Sequence, residues 1–342
     1  MVNVRGFIAS NFTKSFLTIF LPFFFIVSLL FIVKIASLTS RIQMTFGELM
    51  LLYSYSLPNI IFYSLPLSFV AALSNTLVQL SQSNELIALY ALGLRSKKVL
   101  KSLLLLGTLF SLLLASVSIV AMPLSKQFYE SFRQQKFADA KINIIPGELG
   151  QKFGPYYIYV KEKEDNRLGK IVIYNRTDKN NEQFFSAETG QLQNKNNTSS
   201  LLLNKGYGYT YTTKTLQQAI YGSLEVFNAS SKRIFNFEDV ITYWFKQNNA
   251  WLKNQRDHRL LFFILVSLIP LLSIYLISAF TMINPRYQPN RSFVVIFLST
   301  LFFYLTASSL EKWGNPMSLL VVVLLIGIVS KWLFNKKVGR YF

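Results

Sequence analysis

Five uninterrupted apolar stretches dictate what this chain can fold into: Phe16–Ala36, Ser102–Pro123, Leu260–Phe280, Phe293–Leu310 and Pro316–Phe334. Each is close to the ~20 helical residues that cross ~30 Å of hydrocarbon, where a backbone finds no partner but its own helix. A sixth stretch, about Leu49–Leu73, is weaker because it carries serines, Asn59, Pro58 and Pro66. Proline is tolerated where neighbouring helices satisfy the freed carbonyls, so this stretch reads as a kinked helix packed among the others. Six spans result, three before and three after a long polar middle. A cleavable secretory signal is the rival reading of the first, with Ala36-Ser37-Leu38 as the cleavage site; its length and the five spans that follow argue against it.

The charge needs explaining next, since 35 Lys plus Arg against 16 Asp plus Glu leave a formal net of +19 on a chain of positive mean hydropathy, +0.33. With an N-terminus inside, the short inner loops and ends hold twelve cations (Arg5, Lys14, Arg95, Lys97, Lys98, Lys101, Arg286, Arg291, Lys331, Lys336, Lys337 and Arg340) and one acid, Glu85. The short outer loops hold Arg41 and Lys312 beside Glu48 and Glu311. That asymmetry places both termini in the cytoplasm and the middle segment outside. Leu124–Asp257 has a net charge of +6 and the membrane part +13. The charge is therefore mostly a topology signal, and no cytoplasmic domain exists to carry a nucleic-acid footprint. We divide the chain into 1–123, holding spans one to three, an external domain at 124–257, and 258–342, holding spans four to six.

Within the external segment, Leu124–Lys141 reads as a helical extension of the third span, basic on one side through Lys126, Arg133 and Lys136. Short β-like runs follow at Tyr156–Val160, Lys170–Tyr174, Ser200–Leu203, Gly206–Tyr211, Ser223–Phe227 and Arg233–Phe237, separated by polar turns such as Glu164–Arg167, Thr177–Asn181 and Asn194–Asn197. Several strands at regular spacing predict a β-sandwich or barrel. Its aromatic strands suit either an ordinary core or a partly open interior that accepts acyl chains.

Catalytic signatures are missing. There is no phosphate-binding glycine loop, no Gly-x-Ser-x-Gly elbow, no cysteine, and a single histidine, His258, in the interfacial string Arg256-Asp257-His258-Arg259. We therefore expect no metal site and no cofactor. The six spans contain no Asp or Glu, which disfavours an ion-driven carrier. Energy must then come from a partner.

The loop between spans two and three supplies a means of contact. Ser83 is expected to cap a short helix whose first turn holds Glu85, near the positive end of the dipole. Leu86, Leu89, Tyr90 and Gly93 share one face, Gly93 suits a left-handed stop, and Arg95, Lys97 and Lys98 then meet the anionic leaflet. A helix lying on the membrane and a coupling helix docked on an ATPase both fit. The string SNELIALYALGLRSKKVL resembles the coupling motif of the lipopolysaccharide-export permeases LptF/LptG (YjgP/YjgQ). The three-plus-three layout around an external β-domain is similar from end to end. Ile283-Asn284-Pro285-Arg286 and the segment from Ala138 to Leu149 look like the F member.

The resemblance implies a polytopic membrane protein of six transmembrane helices with an inserted periplasmic β-jellyroll. It implies an inner-membrane permease, not itself an enzyme, paired as an F/G heterodimer on two copies of a cytoplasmic ABC ATPase. Lipopolysaccharide would enter sideways at gates involving the first and fifth spans, and pass to periplasmic jellyroll bridge proteins on the way to the outer membrane. On this reading Glu85, Leu86, Leu89, Tyr90, Gly93 and Arg95 couple to the ATPase. Lys34, Arg41, Lys126, Arg133 and Lys136 face lipid phosphates, where cations form strong charge-assisted bonds. Phe24 and Phe31 face acyl chains. Lys34 equally suits snorkelling, a solvated face suits the other four cations, and lipid packing suits the phenylalanines. A permease of another ATP-driven lipid or lipoprotein extruder and a non-transporting scaffold are the competing readings. The extruder usually has four spans, and a scaffold needs no coupling helix.

Overall fold

The structure is a computed structural model that describes residues 4–39, 44–139, 145–153, 156–164, 167–178, 181–195, 198–212, 215–227, 237–246, 250–282 and 291–339. Arg41 and the Asn284-Pro285-Arg286 turn lie outside the described residues, as does nearly all of the expected strand at 233–237. The chain forms two compact units, one helical and one built mainly on Glu130–Asn236.

Among the described residues, six helical segments are long and apolar enough to cross a membrane. They are α1 (Val4–Thr39), α2 (Phe46–Gln82), the continuous α4 (Ser96–Ser116) and α5 (Met122–Asp139), α7 (Ala250–Thr281), α8 (Ser292–Trp313) and α9 (Pro316–Lys337). Two short helices, α3 (Glu85–Ala91) and α6 (Val240–Phe245), complete the helical unit. The span that reads weakest in sequence is the most enclosed: 72% of the most apolar stretch of α2 is buried, against 6% for α1. Most of its buried hydroxyls are compatible with burial because they bond back along their own helix, Ser74 excepted. Ser68 donates to Ser64 O at 2.8 Å, Thr76 to Ala72 O at 2.7 Å and Ser81 to Leu77 O at 2.8 Å.

Helix α7 packs against α2, α4, α8 and α9. It meets α4 along small residues, the usual means of close approach in lipid. A Cβ at Gly107 would stand 3.1 Å from Pro270 O, Leu271 N donates to Ser111 Oγ at 3.2 Å, and the Ser118 and Ser267 hydroxyls lie 3.1 Å apart. Between α4 and α5 the helix widens into one π turn, Val117–Ala121. Helix α1 is held chiefly through its first half, where Phe12 and Phe16 sit against Phe110 and Phe12 against Phe69. Beyond Pro22 it exposes Phe25, Ile26, Leu29, Leu30 and Val33, and a 2.5 Å contact between the Ser28 and Tyr53 hydroxyls ties it to α2.

The inserted domain is β-jellyroll-like. Its strands are β1 (Gln151–Phe153), β2 (Tyr156–Glu164), β3 (Arg167–Asp178), β4 (Asn181–Lys195), β5 (Thr198–Thr212) and β6 (Leu216–Phe227). They pair antiparallel in chain order as one six-stranded sheet. Each of the three expected turns falls between consecutive strands. Strand β5 joins two runs that read as separate, and β4 is not expected from the sequence, because among its fifteen residues only Phe184, Phe185, Ala187 and Leu192 are apolar.

The pairing registers between β2 and β6 are all interrupted on one line. They pass over Lys161 opposite Lys170, Lys170 opposite Glu188, Glu188 opposite Lys205, and Lys205 opposite Gly222. Lys170 and Lys205 have φ of 51° and 50° there, a left-handed conformation rare outside glycine. Such irregularities bend strands. The line is a crease. Residues from both sides of it, Ile158, Val160, Ile171, Ile173 and Ala187 on one and Leu168, Leu201, Leu203 and Val226 on the other, share one aliphatic core. The opposite face carries the transverse aromatic row Tyr157, Tyr174, Phe184 and Tyr209.

Candidate functional site

The coupling residues are gathered where α2 turns into α4. Helix α2 runs on to Gln82, so only Ser83 and Asn84 separate it from α3. This corrects the expected cap: Ser83 closes α2, its hydroxyl donating to Gln79 O at 2.9 Å. Asn84 takes the N-cap position of α3 instead, with φ of 60°. A corner this tight requires a left-handed residue, and asparagine tolerates that conformation better than serine.

At the other end, Gly93 has φ of 82°; its N–H donates to Tyr90 O at 2.9 Å while Leu94 N–H donates to Leu89 O at 3.2 Å. That pair of bonds is the Schellman stop, which needs the left-handed residue Gly93 supplies. Leu86 is buried, and Leu89 and Tyr90 are partly buried against the same core. The Tyr90 hydroxyl reaches Met282 Sδ at 3.8 Å, and Ser81 donates to Thr281 O at 3.3 Å. Burial pushes the Tyr90 phenol up to about 12, so it is neutral at ordinary pH. Helix α3 thus packs on the end of α2 and, through Tyr90, reaches the residue that follows the central helix α7, to whose last carbonyl the end of α2 is also tied. Its outer side exposes Ala88, Ala91 and Leu92, and Arg95, the N-cap of α4, stands exposed beside them. Among the described residues, Glu85 Oε2 is buried without a hydrogen-bond partner.

The residues expected to meet lipid are less gathered. Lys34 is exposed near the end of α1 with its ammonium 5.9 Å from the Phe31 ring, a cation–π contact. Phe24 and Phe31 are half-buried; Phe24 continues an aromatic ladder, 5.6 Å from Phe20. Lys126, Arg133 and Lys136 all lie on α5, Lys126 exposed and the other two half-exposed. Arg133 is engaged with Glu130 at 2.6 Å on its own helix.

One arrangement escapes the sequence. Trp244, 2% exposed, donates its indole N–H to Ile119 O at 2.9 Å, inside the π turn that disturbs the normal helical ladder. Arg256 closes the cluster: it lies 3.9 Å over the Tyr243 ring, bonds Glu238 Oε2 at 2.9 Å, and donates to Tyr243 O. Burial raises the Tyr243 phenol, and the Arg256 and Arg259 charges lower it by less. The only signal in the sequence is the aromatic run Tyr243-Trp244-Phe245 ahead of a span.

A multi-pass bundle with a β-jellyroll-like domain between its third and fourth spans, and a short helix packed on the end of its second, has the build of a membrane permease. The family model for the lipopolysaccharide export system permease LptF/LptG matches residues 6–336. The chain belongs to that family of inner-membrane lipopolysaccharide export permeases, whose model takes in F and G members alike. No curated protein matches it.

Proposed function

We propose that this chain is one permease of an ATP-driven exporter that draws lipopolysaccharide out of the inner membrane and passes it to periplasmic bridge proteins. It works beside a second permease, on two copies of a cytoplasmic ATPase, with both termini cytoplasmic and the sheet domain periplasmic. The positive-inside bias supports that orientation, and the Asn284-Pro285-Arg286 string favours the F member.

The packing of α3 is the observation that carries the proposal. A helix stopped by a glycine motif, packed on the end of α2 and in contact through Tyr90 with the end of α7, passes a push on its exposed side to the two most enclosed spans of the bundle. Glu85 supports the same reading. A buried carboxylate oxygen without a donor is costly, and a cation on an ATPase closing over α3 supplies the missing partner. Arg95 adds a basic flank. On the opposite side of the membrane, Lys34, Arg41, Lys126, Arg133 and Lys136 offer cations to lipid phosphates, Phe24 and Phe31 offer rings to acyl chains, and the creased sheet offers an aliphatic interior to the chains that follow.

Glu85→Arg tests this reading. The variant is expected to fold and insert at wild-type yield, yet lose ATP-driven lipopolysaccharide release from reconstituted vesicles by at least about tenfold, since reversing a paired buried charge costs several kcal/mol. Release at the wild-type rate from a correctly assembled variant would remove Glu85 from the coupling surface.

A further inference from the structure

Helix α6 does not span anything, yet two neighbours place it at the depth of the lipid tails. Trp244 bonds Ile119 O, which lies four residues inside the apolar run that ends at Pro123, about 6 Å at 1.5 Å per residue. The Trp244 ring also stands 6.0 Å from Phe263, three residues inside the apolar run that begins at Leu260. Two helices of opposite direction thus put the same side chain about one helical turn within the hydrocarbon edge.

Part of the backbone around α6 is bonded within the protein. Water normally satisfies the loose ends of a short helix, and lipid cannot. Here Gln127 takes both polar groups of Glu238, accepting from its N–H at 2.7 Å and donating to its carbonyl at 3.0 Å. Tyr243 N–H is bonded to Asp239 O at 2.7 Å, and Arg256 donates to the Tyr243 carbonyl. Lys246 N–H reaches Thr242 O at 3.1 Å.

The side of α6 away from Trp244 is apolar and open. Ile241 and Phe245, one turn apart, are 75% and 65% exposed, and an exposed Lys246 follows at the level where a phosphate is met. We propose that α6 is a wedge inserted from one side into the membrane, with Ile241 and Phe245 seated among the acyl chains of bilayer phospholipid in the leaflet that holds Pro123 and Leu260. The continuity of depth with the spans and the flanking cation favour a lipid occupant over a protein one. The wedge fixes how deep the π turn sits and interrupts acyl packing beside it.

The absence of cysteine from the chain makes the test clean. Single variants I241C and F245C carry a nitroxide in the full chain, assembled with its partner subunits in phosphatidylethanolamine/phosphatidylglycerol vesicles without lipopolysaccharide. Power saturation compares collision with oxygen, which dissolves in tails, and with a water-soluble nickel chelate. L324C on exposed α9 and K161C on the sheet give the lipid and water references. The expected oxygen-to-nickel ratio at both α6 positions lies within about twofold of the lipid reference. A ratio matching the water reference overturns the wedge. Low collision with both reagents also overturns it, placing α6 under the second permease instead. Leaving lipopolysaccharide out excludes cargo as the source of the tails, and the readout does not depend on transport.

Discussion

Gly93 shows how much one residue can decide here. Nothing stands within 4 Å of where its Cβ would be, so the site has room for a side chain, but its φ of 82° does not suit one. Gly93→Ala is therefore expected to cost about 1 kcal/mol through backbone strain alone. It should appear as faster hydrogen exchange in α3 with little change in the spans; unchanged exchange would mean that the stop does not hold α3. This glycine is legible in the sequence because it ends a short amphipathic run just before a basic string. The opposite corner is not legible. Whether Ser83 caps the second helix or closes the first depends on how far α2 continues, and the polar string Gln79–Gln82 conceals that it stays helical. Glu85 lies between: its position on the helix is readable, but the burial of its unpartnered oxygen needs the fold.

At the scale of elements, hydropathy finds the spans and misjudges their rank. The stretch richest in serine and proline is the most enclosed helix, because a residue poor in lipid contacts belongs where other helices can meet it. Strand β4 is hidden for a related reason. It pairs along nearly its whole length with β5, so its place is held by backbone bonds more than by its own sparse apolar residues. The crease is beyond sequence reading altogether, since lysine at positive φ leaves no signature. Trp244 is the element-scale feature most open to test. Trp244→Phe keeps a ring beside Phe263 but leaves the Ile119 carbonyl in the π turn without its donor, which should destabilise the helical unit by ~1–3 kcal/mol. A lowered midpoint of thermal unfolding in detergent is the expected result, and an unchanged midpoint would show that the turn does not depend on the indole.

For the whole molecule, the +19 charge and the bare second half of α1 belong to one description. A membrane part carrying +13, chiefly on one set of short loops, fixes a bundle in the bilayer, while α1 beyond Pro22 presents apolar side chains that this chain does not cover. Such a face is one that lipid or a second permease would cover. It agrees with the proposal of a permease that works in a pair and takes a lipid from the side, a reading that rests on the family, whereas the three-plus-three layout of apolar stretches carries only the six spans and the inserted segment between them. The position of the cargo is not legible in that way, because Lys34, Phe31 and the sheet core share no pattern in the sequence that marks them as one route. Photo-crosslinking is the most direct test. Lys34 and Phe185, the latter on the aliphatic side of the sheet, are each replaced by a photo-reactive phenylalanine in the assembled exporter. Lipopolysaccharide adducts at both positions, with the one at 185 growing on addition of ATP, are predicted; no adduct at either position in the presence of ATP would contradict the claim that this chain carries lipopolysaccharide.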